Sequence, residues 1–417
     1  MAEKRKFLLP LALVGLLIVG GAPVLARLAG QLNNAPKSLV DEVWQTVDRE
    51  YVDGSFNKQD WQAVRRQLLA RNYESDEDAY KAIRKALALL NDPYTRFLAP
   101  KEFAELKEET KGELVGVGIA LGLSKKEKLP LVVKTFKGSP AEGAGVQSLD
   151  LITAVDDQTT TGVALETISR RIRGKSGTPV KLTLRRSAKK MVSLTITRRS
   201  ITIPVVESSL RTFGKHKFGY LQLQEFSEQA APQMQLAIDT LSAQGAKGWI
   251  LDMRGNPGGL VEAAVEIANL FLEDGTIVSV VDRQGLRETL RADGRPHTKL
   301  PVIILVDGGT ASAGEILAGA LQDNRRATLV GATTFGKGII QQVNTLSNGA
   351  GVNVTIAHYL TPSGKDIHKK GIVPDVKALI PPALLKTLKA NQVATAADPQ
   401  YARGLEVLKS KLELGKI

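Results

Sequence analysis

Ser312 and Lys337 are the two residues whose types and surroundings best suit covalent catalysis. Ser312 follows an apolar run and a Gly-Gly turn, and it stands where a helix is predicted to begin. Free backbone N–H groups and the helix dipole at such a point stabilise a nearby oxyanion, which a nucleophile needs. The same position suits a serine that only caps the helix, so this loop alone leaves both interpretations open.

A serine nucleophile needs a base, and Lys337 is a better candidate than any histidine. It lies between two glycines after an apolar run. Burial there would disfavour the ammonium, and a neutral amine can accept the hydroxyl proton. The alternative is a solvated lysine in a turn. The histidines, which lack a recognisable triad context, are His216, His297, His358 and His368.

Two further features accompany this pair. Gln341 follows Lys337 closely, but in a continuous strand their Cα atoms would lie about 13 Å apart. A bend at the glycines around Lys337 would let Gln341 orient the amine. Residues 252–259 form a second strand-to-helix loop, whose glycines would let backbone amides approach a reacting carbonyl. A tight structural turn is the alternative for that loop.

Residues 331–338 nearly match a phosphate-binding loop. They end in glycine where the magnesium-binding Ser or Thr belongs, and the residues that follow predict a strand rather than a helix. The chain also has no cysteine, which removes thiolate metal sites. We therefore expect neither a cofactor nor a metal.

The elements that must position these residues indicate a multidomain α/β protein. Helical periodicity predicts a helical N-terminal domain over residues 36–106. Short β-branched runs between glycines predict a β-rich module over residues 107–200. Alternating strands and helices predict an α/β core over residues 201–380, followed by a helical tail over 381–417 to which we assign no function.

Residues 1–30 predict export. Three basic residues precede an apolar run, and residues 24–26 make an acceptable cleavage site, which is the pattern of a secretory signal peptide. The apolar stretch of about 20 residues alternatively predicts an uncleaved anchor and membrane association through the N-terminus. Both interpretations place the rest of the chain outside the cytosol.

The net charge of +13 first suggests a polyanionic partner. The densest basic stretch spans residues 170–190, but it lacks the aromatic pattern on which single-stranded nucleic acid stacks. We expect a solvated face there and no nucleic-acid partner. Attraction to an anionic membrane surface is the second interpretation.

Several separate motifs together resemble the carboxyl-terminal processing peptidases, also called tail-specific proteases. The resemblance covers residues 38–375, and the order of the motifs and the serine-to-lysine separation fit the family. The matching stretches are 90–98 (LNDPYTRFL), 116–119 (GVGI), 250–259 (ILDMRGNPGG), 310–315 (TASAGE), 336–338 (GKG) with Gln341, and 359–364 (YLTPSG).

The resemblance implies a serine endopeptidase with a Ser-Lys dyad in an α/β core. Ser312 would be the nucleophile and Lys337 the general base. Gln341 would position the lysine. The backbone amides of Gly258 and Ala313 would form the oxyanion hole.

The resemblance also implies that the β-rich module is a PDZ domain. The backbone amides of Val117, Gly118 and Ile119 would receive the terminal carboxylate of a substrate with a free, apolar C-terminus. The plastid and cyanobacterial branch is the most similar, which implies a periplasmic or thylakoid-lumen enzyme. Its substrates include the C-terminal extension of a photosystem II reaction-centre precursor. An inactive PDZ adaptor that retains a peptidase-like core is the alternative.

Overall fold

A computed structural model describes residues 35–186, 190–381, 383–384 and 392–414. The predicted signal or anchor over residues 1–30 lies outside these ranges. Within the described ranges, no helix combines the length and apolar character that a membrane span requires.

The N-terminal region is built mainly from helices that pack around aromatic side chains. Its elements are α1 (Ala35–Glu50), α2 (Trp61–Ala70), α3 (Asp76–Ala88), β1 (Arg96–Leu98) and α4 (Pro100–Lys111). The Ser75 side chain accepts a hydrogen bond from the Asp78 N–H and so caps α3. The Trp44 and Trp61 rings stack with their centroids 6.3 Å apart. These aromatic residues form a local core.

A β-rich module is inserted between α4 and the α/β core. Its elements are β2 (Glu113–Gly116), β3 (Ile119–Leu123), β4 (Pro130–Thr135), α5 (Pro140–Gly143), β5 (Leu151–Val155), β6 (Gln158–Thr159), α6 (Leu165–Ile172), β7 (Pro179–Arg185), β8 (Met191–Thr197) and β9 (Arg199–Thr202). Strands β2 and β9 pair with each other as an antiparallel ribbon. The other strands follow the order β3-β4-β5-β7-β8, with β6 paired to β5. The chain therefore enters and leaves the module through one two-stranded stem.

The C-terminal half is an α/β core. Its elements are β10 (Val206–Phe213), β11 (His216–Leu223), α7 (Ala230–Ala243), β12 (Trp249–Asp252), α8 (Val261–Asn269), β13 (Thr276–Asp282), β14 (Gly285–Arg291), β15 (Val302–Val306), α9 (Ala313–Asp323), β16 (Ala327–Gly331), β17 (Ile339–Thr345), β18 (Gly351–Leu360), β19 (Val376–Lys377) and α10 (Pro399–Leu414).

One sheet of this core has the order β10-β11-β12-β15-β16-β19 and is parallel from β11 onward. Residues of α7, α8 and α9 join one apolar cluster with this sheet, and residues of α10 join a second cluster with it. Because both faces of the sheet are covered, β12 and β15 are buried along their whole length.

A second sheet is antiparallel and is organised around β18. This strand pairs with β1, β13 and β17. The pairing with β1 joins the N-terminal helical region to the core, and β17 begins just after Lys337. The predicted fold class, with a helical N-terminal region, a β-rich PDZ domain and an α/β core, is confirmed.

Candidate active site

Ser312 occupies a strained turn between β15 and α9. Its backbone has φ 54° and ψ −119°, a conformation that a residue with a side chain seldom adopts. Its side chain makes no capping hydrogen bond to α9, and its carbonyl accepts one from the Tyr359 hydroxyl at 3.1 Å. This geometry, at a half-buried serine on a strand-to-helix elbow, suits a nucleophile better than a helix-capping serine.

The loop at residues 252–259 lies directly against this turn. Strands β12 and β15 are parallel neighbours, so the loops that follow them leave the same edge of the sheet. Gly258 has φ +99°, and a Cβ atom there would lie 2.7 Å from the Ser312 Cβ and 2.8 Å from the Ala311 carbonyl oxygen. Only glycine fits such an approach.

Two backbone N–H groups beside Ser312 are therefore candidates for stabilising an oxyanion. Ala313 is the first residue of α9, where N–H groups have no acceptor within the helix. The Gly258 N–H donates to the Asn256 side-chain oxygen at 2.8 Å in this structure. A ligand that used the Gly258 amide would have to share it with Asn256 or replace that contact.

Glu315 links the serine turn to the lysine loop. Its side chain is fully buried, and its carboxylate accepts hydrogen bonds from the backbone N–H groups of Ser312 (3.0 Å), Gly336 (2.7 Å) and Lys337 (2.8 Å). The Thr334 hydroxyl donates a fourth at 2.5 Å. One carboxylate thus fixes the backbone of Ser312 relative to that of Lys337. The sequence analysis included Glu315 in a family motif but gave it no role.

The Lys337 ammonium lies in a half-buried position, 4.6 Å from the centre of the Tyr94 ring. Burial lowers the pKa of Lys337, and the nearby positive charge of Arg96 lowers it further. Asp92 and Glu315 oppose these effects, but the net direction is downward. A lysine with a lowered pKa has a larger neutral fraction at a given pH, which is what a general base requires.

Ser312, Lys337 and Gln341 line one groove of about 650 Å³. Among the described residues, no hydrogen bond joins the Lys337 amine to the Ser312 hydroxyl. Gln341 follows a β-bulge between residues 340 and 341, which is the kind of bend that its predicted role needs. Its side-chain nitrogen is buried and has no partner within the described part of the chain.

The histidines do not offer a better base. All four lie in described segments, and none lines the groove. His358 and His368 pack edge to face, 5.7 Å apart, close to the loop that carries Lys337. The geometry therefore favours Lys337 over a histidine.

A buried ion cluster lies at the base of the 252–259 loop, and the sequence analysis did not identify it. Arg254 pairs with Asp252 at 2.6 Å and with Asp398 at 2.8 Å, and the Tyr220 hydroxyl donates to Asp252. Burial opposes the charge of Arg254, but the two carboxylates more than offset it and raise its pKa. No sequence pattern indicates the Asp398 contact, because its partner lies far along the chain.

The loop at residues 116–119, which was predicted to bind a substrate carboxylate, is held by backbone hydrogen bonds and by a glycine with positive φ. The carbonyl oxygens of Val117 and Gly118 accept hydrogen bonds from Ala141 and Phe136. Gly118 has φ +81°, and a Cβ atom there would lie 2.3 Å from the Ser139 Cβ. Strand β3, which begins at Ile119, is an edge strand of its sheet and therefore has one side open to an added strand.

Comparison with known proteins assigns a family to the α/β core and to the β-rich module. Residues 217–378 match peptidase family S41, and residues 136–186 match a PDZ domain. A carboxyl-terminal-processing protease of Picosynechococcus sp. is 41% identical over 382 residues, which cover 91% of this chain and 91% of the relative. A chloroplastic C-terminal processing peptidase of Tetradesmus obliquus is 38% identical, covering 87% of this chain and 81% of the relative.

A solved structure gives the same result. The photosystem II D1 C-terminal processing protease is 38% identical, with a TM-score of 0.55, and the match covers 82% of this chain and 93% of that chain. A PDZ domain joined to an S41 core with a serine on its elbow defines a serine-type peptidase. The chain belongs to the carboxyl-terminal processing proteases, as its motifs predict. The relatives support the peptidase and not the inactive PDZ adaptor.

The Glu315 contacts predict that Glu315→Gln is inactive and less stable. An amide has no charge, and its NH2 group would face backbone N–H donors. Each hydrogen bond weakened in this way should lower the free energy of unfolding by about 1.5–3 kcal/mol. Turnover of a tailed protein substrate and the free energy of unfolding would be measured. Glu266→Gln is the matched control because Glu266 is exposed on α8. Normal turnover in Glu315→Gln would contradict the linking role.

The Arg96 charge predicts a shift in the pH dependence of the reaction. Since Arg96 lowers the pKa of Lys337, Arg96→Gln raises that pKa. The rise of kcat/KM with pH then moves to higher pH, because the free enzyme must lose the lysine proton. The control is Arg84→Gln, since Arg84 is exposed and pairs with Glu102. An unchanged or lower midpoint in Arg96→Gln would argue against Lys337 as the titrating base.

Proposed function

We propose that this protein cleaves C-terminal segments from exported proteins by a Ser312–Lys337 mechanism. The neutral Lys337 amine takes the proton of the Ser312 hydroxyl as the oxygen attacks the scissile carbonyl. The lysine then gives that proton to the leaving amine, and an acyl-enzyme remains. A water molecule attacks the ester, again with Lys337 as the base, and releases the shortened protein. The strained Ser312 turn and the desolvated Lys337 in one groove are the observation that carries this proposal.

The reaction requires the Lys337 side chain to move from its position over Tyr94 to the Ser312 hydroxyl. A cation is attracted to the face of an aromatic ring, so the resting position favours the protonated amine. Leaving the face of the ring removes that stabilisation, so a move of the amine towards Ser312 within the groove favours the neutral form. The side-chain oxygen of Gln341 would accept a hydrogen bond from the amine and hold it in the second position.

The developing oxyanion would be bound by the amides of Gly258 and Ala313. Both residues adjoin Ser312, and preorganised N–H groups at this point stabilise charge that appears only in the transition state. The Gly258 N–H would exchange its Asn256 acceptor for the substrate oxygen. The exchange replaces a neutral acceptor with a charged one, which makes the stronger hydrogen bond.

The PDZ domain would select the substrate by its terminal carboxylate. The N–H groups of Val117, Gly118 and Ile119 would bind the carboxylate, and the open edge of β3 would pair with the residues before it. Arg173 lies beside this loop, since its Cγ is 4.0 Å from a Cβ placed on Gly116. Arg199 pairs with Gly116 in the β2–β9 ribbon. The two guanidinium groups add positive charge near the anion site.

The similarity to cyanobacterial and chloroplastic proteases supports a periplasmic or thylakoid-lumen location and a photosynthetic substrate. We propose that the precursor of the photosystem II D1 protein is one such substrate, because a 38% identical structure bears the name of a D1 processing protease. Residues 1–30 would direct the export that either location requires.

The proposed dyad predicts which substitutions of Ser312 and Lys337 abolish cleavage. Ser312→Ala and Lys337→Ala should fold normally and leave a tailed protein substrate intact, as followed by mass spectrometry. Lys337→Arg should be inactive as well, because a guanidinium stays protonated and is no base. Equal trimming by wild type and Ser312→Ala would refute the nucleophile. Activity in Lys337→Arg would refute the base alone.

The PDZ loop predicts a preference for a free, apolar C-terminus. Amidation removes the charge of the last residue and should weaken binding by a charge-assisted hydrogen bond, about 1.5–3 kcal/mol. Cleavage of paired substrates that end in acid or amide, and in Ala or Asp, measures this preference. Gly118→Ala should remove the discrimination, because the added Cβ would clash with Ser139. Equal rates for both pairs in the wild type would leave the PDZ domain without a role in selection.

A further inference from the structure

The C-terminal segment, to which no function was assigned from its sequence, contacts Arg254 of the α/β core through a buried carboxylate. Asp398 stands just before α10 and is fully buried. One of its oxygens accepts hydrogen bonds from the backbone N–H groups of Gln400 (3.1 Å) and Tyr401 (3.2 Å), at the start of that helix. Its other oxygen accepts from Arg254 at 2.8 Å and from the Ala394 N–H at 3.0 Å.

Arg254 is held on two sides by these contacts. Its Nε and Nη2 atoms donate to Asp252 at 2.9 and 2.6 Å, and its Nη1 atom donates to Asp398 and, at 3.1 Å, to Gln400. The arginine side chain is only 9% exposed. Planar guanidinium groups fix direction as well as charge when they bind in this way. Because its side chain is bonded both to Asp252 of β12 and to Asp398 of the C-terminal segment, the position of the Arg254 backbone is restricted.

The Arg254 contacts lie at the start of the loop that contains Gly258. After Arg254, the Gly255 N–H donates to Asp307 at 2.9 Å. The Asn256 carbonyl oxygen accepts from Ala311 at 2.9 Å, in the turn that precedes the serine. Gly255 and Asn256 are therefore both bonded to the segment between β15 and Ser312. Only Pro257 separates them from Gly258, so a shift at Arg254 would move the Gly258 amide.

The stability of the C-terminal segment has another source. Leu408 on α10 is buried against the sheet in the same apolar cluster as Ile303 and Leu305. A buried ion pair usually adds little net stability, because desolvation of its charges offsets their attraction. The Asp398–Arg254 contact is thus better suited to fixing geometry than to holding α10 in place.

We propose that Asp398 is a positioning residue for the oxyanion hole: through Arg254, it holds the 252–259 loop so that the Gly258 amide faces the reacting carbonyl. The inference rests on the oxyanion role proposed for Gly258. It gives the C-terminal segment a part in catalysis, although none of the described residues of that segment lines the groove.

The test compares Asp398→Asn with two controls. Glu406→Gln removes one carboxylate from the exposed side of α10, where Glu406 pairs with Arg403. Leu408→Ala loosens the packing of the same helix without touching Arg254. The full-length enzyme is assayed for kcat and KM, and each variant is also tested against a peptide aldehyde and the matching peptide alcohol. Only the aldehyde forms an adduct with Ser312 that places an oxyanion in the hole.

Asp398→Asn should lower kcat and the affinity for the aldehyde by a similar factor. The factor should be roughly tenfold to a hundredfold, as for a displaced catalytic group. KM and the affinity for the alcohol should stay unchanged. Leu408→Ala should lower the melting temperature without this selective loss, and Glu406→Gln should match the wild type. Normal kcat and normal aldehyde affinity in folded Asp398→Asn would overturn the proposal, as would an equal loss of alcohol affinity.

A second variant, Gln400→Leu, tests the proposal if Asp398→Asn does not fold. Gln400→Leu removes the other C-terminal acceptor of Arg254 and keeps Asp398, and it should show a smaller loss of the same selective kind. If Gln400→Leu binds the aldehyde as well as the wild type does, the proposal fails. Ser312→Ala separates this outcome from failure of the proposed function: activity in Ser312→Ala refutes the nucleophile, whereas an inactive Ser312→Ala beside a normal Asp398→Asn refutes only the positioning role.

Discussion

The geometry of the active site depends on the buried carboxylate of Glu315. A buried negative charge is costly unless donors surround it, and three backbone N–H groups and the Thr334 hydroxyl provide them. Two of those N–H groups belong to the catalytic residues Ser312 and Lys337 of the proposed dyad. The requirement to satisfy one charge thus holds two loops from different sheets together.

The Glu315 charge also works against the proposed reaction, which requires a neutral Lys337. Glu315 favours the protonated form of Lys337, as does Asp92, while burial and Arg96 favour the neutral amine. The balance leaves the pKa of the lysine lowered, and the carboxylate is directed at backbone N–H groups rather than at the ammonium. A site that needs a neutral lysine beside a buried anion can tolerate that anion when the backbone neutralises it.

The division of the α/β core into two sheets gives the Ser312 loop and the Lys337 loop separate support. The parallel sheet carries the Ser312 turn and the 252–259 loop, and the antiparallel sheet carries Lys337 and Gln341. The PDZ domain is attached through a two-stranded stem that begins after Gly112, whose φ of +66° ends helix α4. The PDZ domain and the peptidase core are therefore joined by little backbone.

The sequence by itself determined the family, the fold class and the loops that carry Ser312 and Lys337, because these depend on local periodicity, glycine positions and motif order. Only the tertiary structure revealed the linking role of Glu315 and the contact of Asp398 with Arg254. It also showed that the Lys337 ammonium lies over Tyr94, without a hydrogen bond to Ser312 among the described residues. These features join side chains to groups far apart in the chain. Which partner a buried charge meets is fixed by packing, and no local pattern encodes it.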